Sequence, residues 1–143
     1  MITLFLNKTL ETIKKSREFS RLLKKFTEKD FPIAAGGLRG AVLAAVASEL
    51  FKYSKGPFIF VFPSDRAAES FAGDCTLWGG DVLYFPSWET LPYSGDIPSS
   101  HVSGLRVNTI SRLLASRKSI VAMSQKALMT YLPEKEFIGK YLF

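Results

Sequence analysis

The segment Ala35-Gly36-Gly37-Leu38-Arg39-Gly40 offers the clearest opening for chemistry. Glycines in a strand-to-helix turn let backbone N–H groups wrap a phosphate at the start of the helix. A working nucleotide loop also needs a Lys on the β- and γ-phosphates and a Ser or Thr on magnesium. Neither register supplies them. With Arg39 in the Lys place, Gly40 stands where the hydroxyl belongs; with Gly40 as the last glycine, Ala41 and Val42 fill both places. Arg is no substitute, because its planar fork is larger and favours different geometry. Without the lysine and the metal ligand, phosphoryl transfer loses its charge stabilisation. Gly36, Gly37, Arg39 and Gly40 therefore read as a degenerate phosphate loop. Residual anion binding at the helix start and a plain tight turn that needs small residues both remain open.

Other reactive groups are sparse. The acids Glu49, Asp65, Glu69, Asp74, Asp81, Glu89 and Asp96 are scattered, and none forms a metal-binding pair after a strand. His101 is the only histidine and sits at the expected start of a helix, where a surface position is the ordinary one. Cys75 is the only cysteine, so no internal disulfide can form and a reducing cytoplasm fits. No catalytic residue, cofactor or metal is expected.

The elements that would carry these residues follow from punctuation and periodicity. The chain has 143 residues, 47% hydrophobic and 22% charged, enough for one α/β domain with a core. Two apolar stripes, Leu6/Leu10/Ile13 and Phe19/Leu22/Leu23/Phe26, are out of phase near Ser16, which predicts two short helices or one kinked one. Asp30-Phe31-Pro32 ends them. A short apolar segment, Ile33–Ala35, leads into the glycines, and a helix is predicted over 38–52. Phe58–Phe62 is a continuous apolar run that predicts a strand buried on both faces. Ser64 caps a helix from Asp65 to Leu77, Val82–Phe85 is a second strand, and residues 86–100 form a loop. A helix is predicted over 101–116, a strand over 119–123, and a last helix from Ser124 to Tyr131. Alternating strands and helices argue for three or four parallel strands with helices on both faces. Functional loops then belong at the carboxyl ends of the strands.

Net charge is +6, and residues 1–30 carry eight Lys/Arg against four Asp/Glu. A nucleic-acid footprint around Lys24, Lys25 and Phe26 is one reading of this basic segment, and the solvated face of an amphipathic helix is the other. No apolar run approaches the ~20 residues that span a bilayer, so a cytoplasmic protein with no membrane partner is expected.

The most distinctive stretch is Phe85-Pro-Ser-Trp-Glu-Thr-Leu-Pro-Tyr93. Its core, Trp88, Glu89, Thr90, Leu91, Pro92 and Tyr93, resembles the strand-end motif of bacterial transcription-repair coupling factors residue for residue. The resemblance continues through Pro98, Arg106, Thr109, Leu113, Ala127-Leu128-Met129 and Leu132-Pro133, and upstream through Gly36 and Arg39, covering roughly residues 33–135. It departs from the family pattern at Ser94, Ser99 and His101.

The resemblance implies a UvrB-like module, with the fold of UvrB domain 1a: a RecA-like three-layer parallel sheet, here with a degenerate P-loop. Residues 1–31 would be a basic helical segment, 32–135 the UvrB-like domain, and 136–143 the first strand of a truncated inserted domain. By implication the chain is a non-catalytic piece of a nucleotide excision repair factor that helps recruit UvrA to stalled RNA polymerase. The main UvrA contact would lie in the missing insert. The family's ATP-driven DNA translocase motor, and its contacts to RNA polymerase and DNA, would lie in downstream domains. Within the loop, Trp88 is expected to anchor by burial, while Pro86 and Pro92 stiffen the backbone. Glu89 would accept loop N–H bonds or pair with Arg106, and Tyr93 and Arg106 would contact neighbouring domains of the full-length factor. The competing readings are a loop that only closes the edge of the fold and, for the chain as a whole, a small nucleotide- or nucleic-acid-binding α/β domain.

Overall fold

The computed structural model describes residues 2–90, 95–116, 118–132, 134, 136 and 138. It begins with helices α1 (Ile2–Lys15) and α2 (Arg17–Glu28), which break at Ser16. Ser16 is extended, donates its hydroxyl to Ile13 O (2.7 Å) and accepts from Phe19 N (3.2 Å), so one side chain closes the first helix and caps the second. The phase slip in the apolar stripe is this cap. Lys29 adopts the left-handed conformation (φ 58°) and ends α2, with Lys29 N and Asp30 N donating back to Phe26 O and Lys25 O.

The remaining elements are α3 (Gly40–Phe51), β1 (Phe58–Phe62), α4 (Asp65–Leu77), β2 (Val82–Phe85), α5 (Ser100–Ala115), β3 (Ile120–Ser124) and the short α6 (Gln125–Leu128). The three strands form one parallel sheet in the order β1-β3-β2, with Phe58 and Val82 both aligned on Ile120. β3 is central and buried along its whole length.

Helices α3 and α4 cover one face. Ala44, Ala47 and Ala68 bring their backbones close to Ile120 and Ala122, and Phe71 packs its ring 4.8 Å from Phe60 and 5.0 Å from Phe62. On the other face α5 lays Ile110 and Leu113 over Leu83, Phe85, Val121 and Met123. The expected helices on both faces are present, but the second layer lies over β2 and β3 only.

Helix α1 is tied to this body by charge. Glu49 of α3 is only 3% exposed, yet its carboxylate meets Lys52 on its own helix and Lys14 of α1 at 3.8 Å. A carboxylate taken out of water needs such partners. The Glu11 hydrogen bond and then the Glu49 charge hold the Lys14 ammonium above its ordinary pKa.

Several expectations need correction. Ile33–Ala35 is not a strand; it carries no sheet pairing, and Ala34 and Ala35 lie exposed. Two alanines offer too little apolar surface to offset the entropy of ordering a fourth strand. Phe58–Phe62 is not buried on both faces. It is an edge strand whose alternate residues Ile59 (53%) and Val61 (46%) are exposed. The last helix stops at Leu128, not at Tyr131. Of 136–143 only Glu136 and Ile138 are described. Both are helical, with Ile138 N donating to Glu134 O at 3.1 Å, so they do not open the expected strand. Among the described residues, no helix is long and apolar enough to cross a membrane.

Phe71, 3% exposed, joins α4 to Phe60 and Phe62 of β1. Phe71→Ala should lower unfolding free energy by about 3–5 kcal/mol, read as a fall in the urea midpoint. A loss below ~1 kcal/mol would mean that this ring cluster is not the core it appears in the packing.

Candidate functional site

The carboxyl ends of all three strands meet at one end of the sheet, and each has a polar residue at or within two residues of it: Ser64 past Pro63 after β1, Ser87 past Pro86 after β2, Ser124 at the end of β3. Ser64, Ser99 and Ser124 cap α4, α5 and α6 by accepting from Ala67 N, Val102 N and Ala127 N. These caps fix where each helix starts, and so where its first side chains point.

Asp65 bridges two of the strand ends. One carboxylate oxygen accepts from Ser87 N at 3.1 Å, and the other from the Ser87 hydroxyl. Partial burial by itself would raise its pKa. The Ser87 and Ser124 hydroxyls, the Ser87 N–H and the nearby Lys126 charge outweigh that and hold the carboxyl below its usual range.

Arg106 of α5 is the other centre. It is 3% exposed and donates from Nη1 to Pro86 O at 2.7 Å and from Nη2 to Thr130 Oγ1 at 2.9 Å. Its guanidinium carbon lies 4.0 Å from the Phe85 ring centroid and 4.2 Å from the Trp88 ring. Burial lowers its pKa, and Asp65 opposes this. Each ring contact with a desolvated cation is worth roughly 0.5–2 kcal/mol. Thr130 passes the network on to Ala127 O (2.7 Å), Thr109 bonds Tyr84 O (3.2 Å), and Lys126 Nζ donates to Trp88 O (3.3 Å). Burial, followed by the Asp65 and Glu69 charges, pushes the Tyr84 hydroxyl up to about 12.

The cluster therefore unites Trp88 and Arg106, a contact the sequence reading did not anticipate. Glu89 is exposed, and the pair anticipated with Arg106 does not form; Arg106 spends its donors on a carbonyl and a hydroxyl instead. Arg106 is also buried inside this domain, which overturns the expectation that it faces a neighbouring one. Trp88 is half-buried rather than sunk, with one face on the guanidinium. Thr90 is half-buried too, while Leu91, Pro92 and Tyr93 lie outside the described residues. Sequence reasoning missed Asp65, Ser87, Ser124, Lys126 and Thr130 as a group. Their shared signal is position, at a strand end or within six residues past it.

The glycine segment does not join this cluster. Gly36 and Gly37 are exposed, Arg39 precedes α3 as its N-cap without a side-chain capping bond, and Gly37 and Gly40 have φ of 78° and 49°. A Cβ at Gly40 would lie 3.9 Å from Asp74 Oδ2, so a carboxylate stands beside the first residue of the helix. Elsewhere, Cys75 is buried in the core, and burial pushes its thiol up to about 11, which suppresses the nucleophilic thiolate. His101 is exposed. Among the described residues, no three His, Cys, Asp or Glu side chains gather as a metal site. The strand-end cluster has its hydrogen-bonding groups engaged with one another.

Comparison with known proteins gives a consistent relationship. The chain is 32% identical over 62 residues to the transcription-repair-coupling factor of Rickettsia prowazekii, covering 43% of this chain and 6% of that protein. It is 28% identical over 93 residues to the Rickettsia bellii factor of the same name, 63% of this chain and 8% of that one. The Haemophilus influenzae factor matches at 28% over 110 residues, 76% of this chain and 10% of that protein. The chain thus spans a tenth or less of the length of these relatives. No family model matches the sequence, and no solved structure matches it.

Two outcomes follow from the cluster. Arg106→Lys should lose about 2 kcal/mol of stability, since an ammonium cannot fork to Pro86 O and Thr130 while lying flat on two rings. Chemical denaturation reads this directly, and an unchanged midpoint would remove Arg106 as the keystone. The depressed Asp65 pKa means its contribution is complete above the unfolded carboxyl value near 4 and is lost as pH falls through the lower folded value. Asp65→Asn should flatten the acid limb of the stability profile below about pH 4.

Proposed function

Starting from this relationship to transcription-repair-coupling factors, we propose that the chain is a UvrB-like module of such a factor that works by docking, not by nucleotide turnover. The single observation that carries the proposal is the Gly36–Gly40 segment, which offers neither a phosphate lysine nor a magnesium hydroxyl. The absence of a strand before it and the Asp74 carboxylate beside Gly40 support the same reading, because both weaken an anion cradle.

In this role the strand-end cluster fixes the position of Trp88, the first residue of the motif. The module needs no cofactor of its own. It supports the recruitment of UvrA to stalled RNA polymerase in nucleotide excision repair, while DNA translocation and polymerase binding belong to other parts of a full-length factor. A nucleic-acid role for the basic helices is the weaker reading. Lys24 and Lys25 face Glu28 and Asp30, and the Phe26 ring packs edge-on against Phe31 and Phe58 rather than standing free for stacking.

Calorimetric titration with magnesium ATP is expected to give no binding heat, and micromolar affinity would defeat the docking reading. A version of the chain lengthened through the next domain of its relatives should capture UvrA, with residues 1–143 alone capturing it weakly or not at all. Equal capture by both would move the contact into the present chain.

A further inference from the structure

From the amino ends of β2 and β3 we infer a second site, a small cationic cavity that takes one oxyanion of about the size of phosphate. Its walls are the last turn of α3, the turn between α4 and β2, Arg112 of α5 and the residues that lead into β3. Asp81 precedes β2 and Ser119 precedes β3, so the cavity lies at the other end of the sheet from the cluster of Asp65 and Arg106. Its volume is about 230 Å³. That is below the roughly 300–1,000 Å³ of pockets that take drug-sized molecules, so the ligand is a small one.

Two independent features of the walls specify the ligand's chemistry. The first is unmet hydrogen bonding. Buried polar groups in folded proteins almost always have a partner. Among the described residues, the buried side-chain atoms that lack one are Ser48 Oγ and Trp78 Nε1, and both residues line this same cavity. Ser119, 8% exposed, lines it too, and its hydroxyl makes no hydrogen bond among the described residues. The Ser48 hydroxyl stands near enough to the Cys75 thiol to oppose the burial that raises its pKa, but a thiol is a weak partner and no hydrogen bond forms. Gly80 keeps space beside Ser48, since a Cβ there would come within 3.2 Å of Ser48 Oγ. An indole N–H can only donate, so the group that meets Trp78 must be an acceptor.

The second feature is charge. Lys52, Arg112 and Lys118 line the cavity against one carboxylate, Asp81. Arg112 pairs with Asp81, and Lys52 with Glu49. Lys118 has no carboxylate partner among the described residues, and its ammonium lies 5.4 Å from the Phe51 ring centroid. An acceptor that also carries negative charge answers both features at once. A neutral ligand would leave the excess positive charge unmatched, and a metal cation would be repelled. The unpartnered groups and the cations all lie within residues 48–120, so the demand they create does not depend on how the chain continues.

The Trp78 indole N–H resonance in a proton–nitrogen correlation spectrum reads the site directly, and Trp78→Phe tells it from the indole of Trp88. Titrating the 143-residue protein with inorganic phosphate should shift that resonance saturably at millimolar concentration, and chloride at matched ionic strength should not. Lys118→Gln, a change at an exposed side chain, should weaken phosphate binding at least threefold. Added sodium chloride should weaken it in the unaltered protein, where no variant has to fold. A version of the chain lengthened through the next domain of its relatives should bind phosphate as tightly. No saturable shift, an equal shift with chloride, affinity unchanged by Lys118→Gln, affinity unchanged by added salt, or loss of binding in the lengthened chain, where the protein itself would then fill the cavity, would each overturn the inference.

Discussion

Burial of β3 on both faces and both edges is the constraint from which the rest of this structure follows. Every residue from Ile120 to Ser124 is buried, so its backbone groups have no water to turn to. They are satisfied only by flanking strands, and both flanking strands run parallel to it. Parallel neighbours cannot be joined by tight turns. The chain has to cross over the sheet through α4 and α5, and those crossovers supply the two apolar layers. They also bring the three strand ends to the same side of the molecule. The convergence of Asp65, Ser87 and Ser124 is thus a consequence of satisfying β3.

Placing a guanidinium under that convergence carries a desolvation penalty, visible in the lowered pKa of Arg106. Asp65 is near enough to oppose the shift, but the hydrogen bonds its carboxylate makes are to Ser87 and Ser124. Arg106 is stabilised instead by two aromatic faces, a carbonyl and a hydroxyl. The arrangement joins α5, the end of β2 and the turn after α6 through one side chain. The position of Trp88 is therefore set by three elements at once, and the loop beyond it leaves from a fixed base.

Local punctuation made much of the architecture legible in advance. Ser64 before α4, Pro86 after β2 and the cap at Ser124 are short-range signals, and the element boundaries they mark agree with the structure. Sheet order is not local. The run Phe58–Phe62 suits an inner or an outer strand equally well by composition, so only the order β1-β3-β2 reveals that Ile59 and Val61 are uncovered. Ile33–Ala35 shows the same limit from the other side, with too little apolar surface to earn a place in the sheet. Arginines are rarely buried, and nothing in the local sequence marks Arg106 as internal. Its burial depends on rings that only the folded order of β2 and α5 brings beside it. The serine–aspartate cluster is likewise assembled from three separate strand ends, which no single window of sequence contains.

Charge and glycine, the two features that first suggest a nucleotide or nucleic-acid site, both have internal explanations in the folded chain. Gly37 and Gly40 occupy positive φ, a conformation that side chains disfavour, so the turn into α3 selects glycine with no phosphate present. Asp74 then sets a negative charge beside Gly40, at the start of the helix. The basic N-terminal segment spends part of its charge on acids: Lys14 on Glu11 and the buried Glu49, Lys24 on Glu28, Lys25 on Asp30. The Lys14–Glu49 contact holds α1 against α3, which gives at least one of these cations a structural duty. A formal count of Lys and Arg in that segment consequently overstates the field it presents to a polyanion, because screening by paired carboxylates acts before any partner arrives.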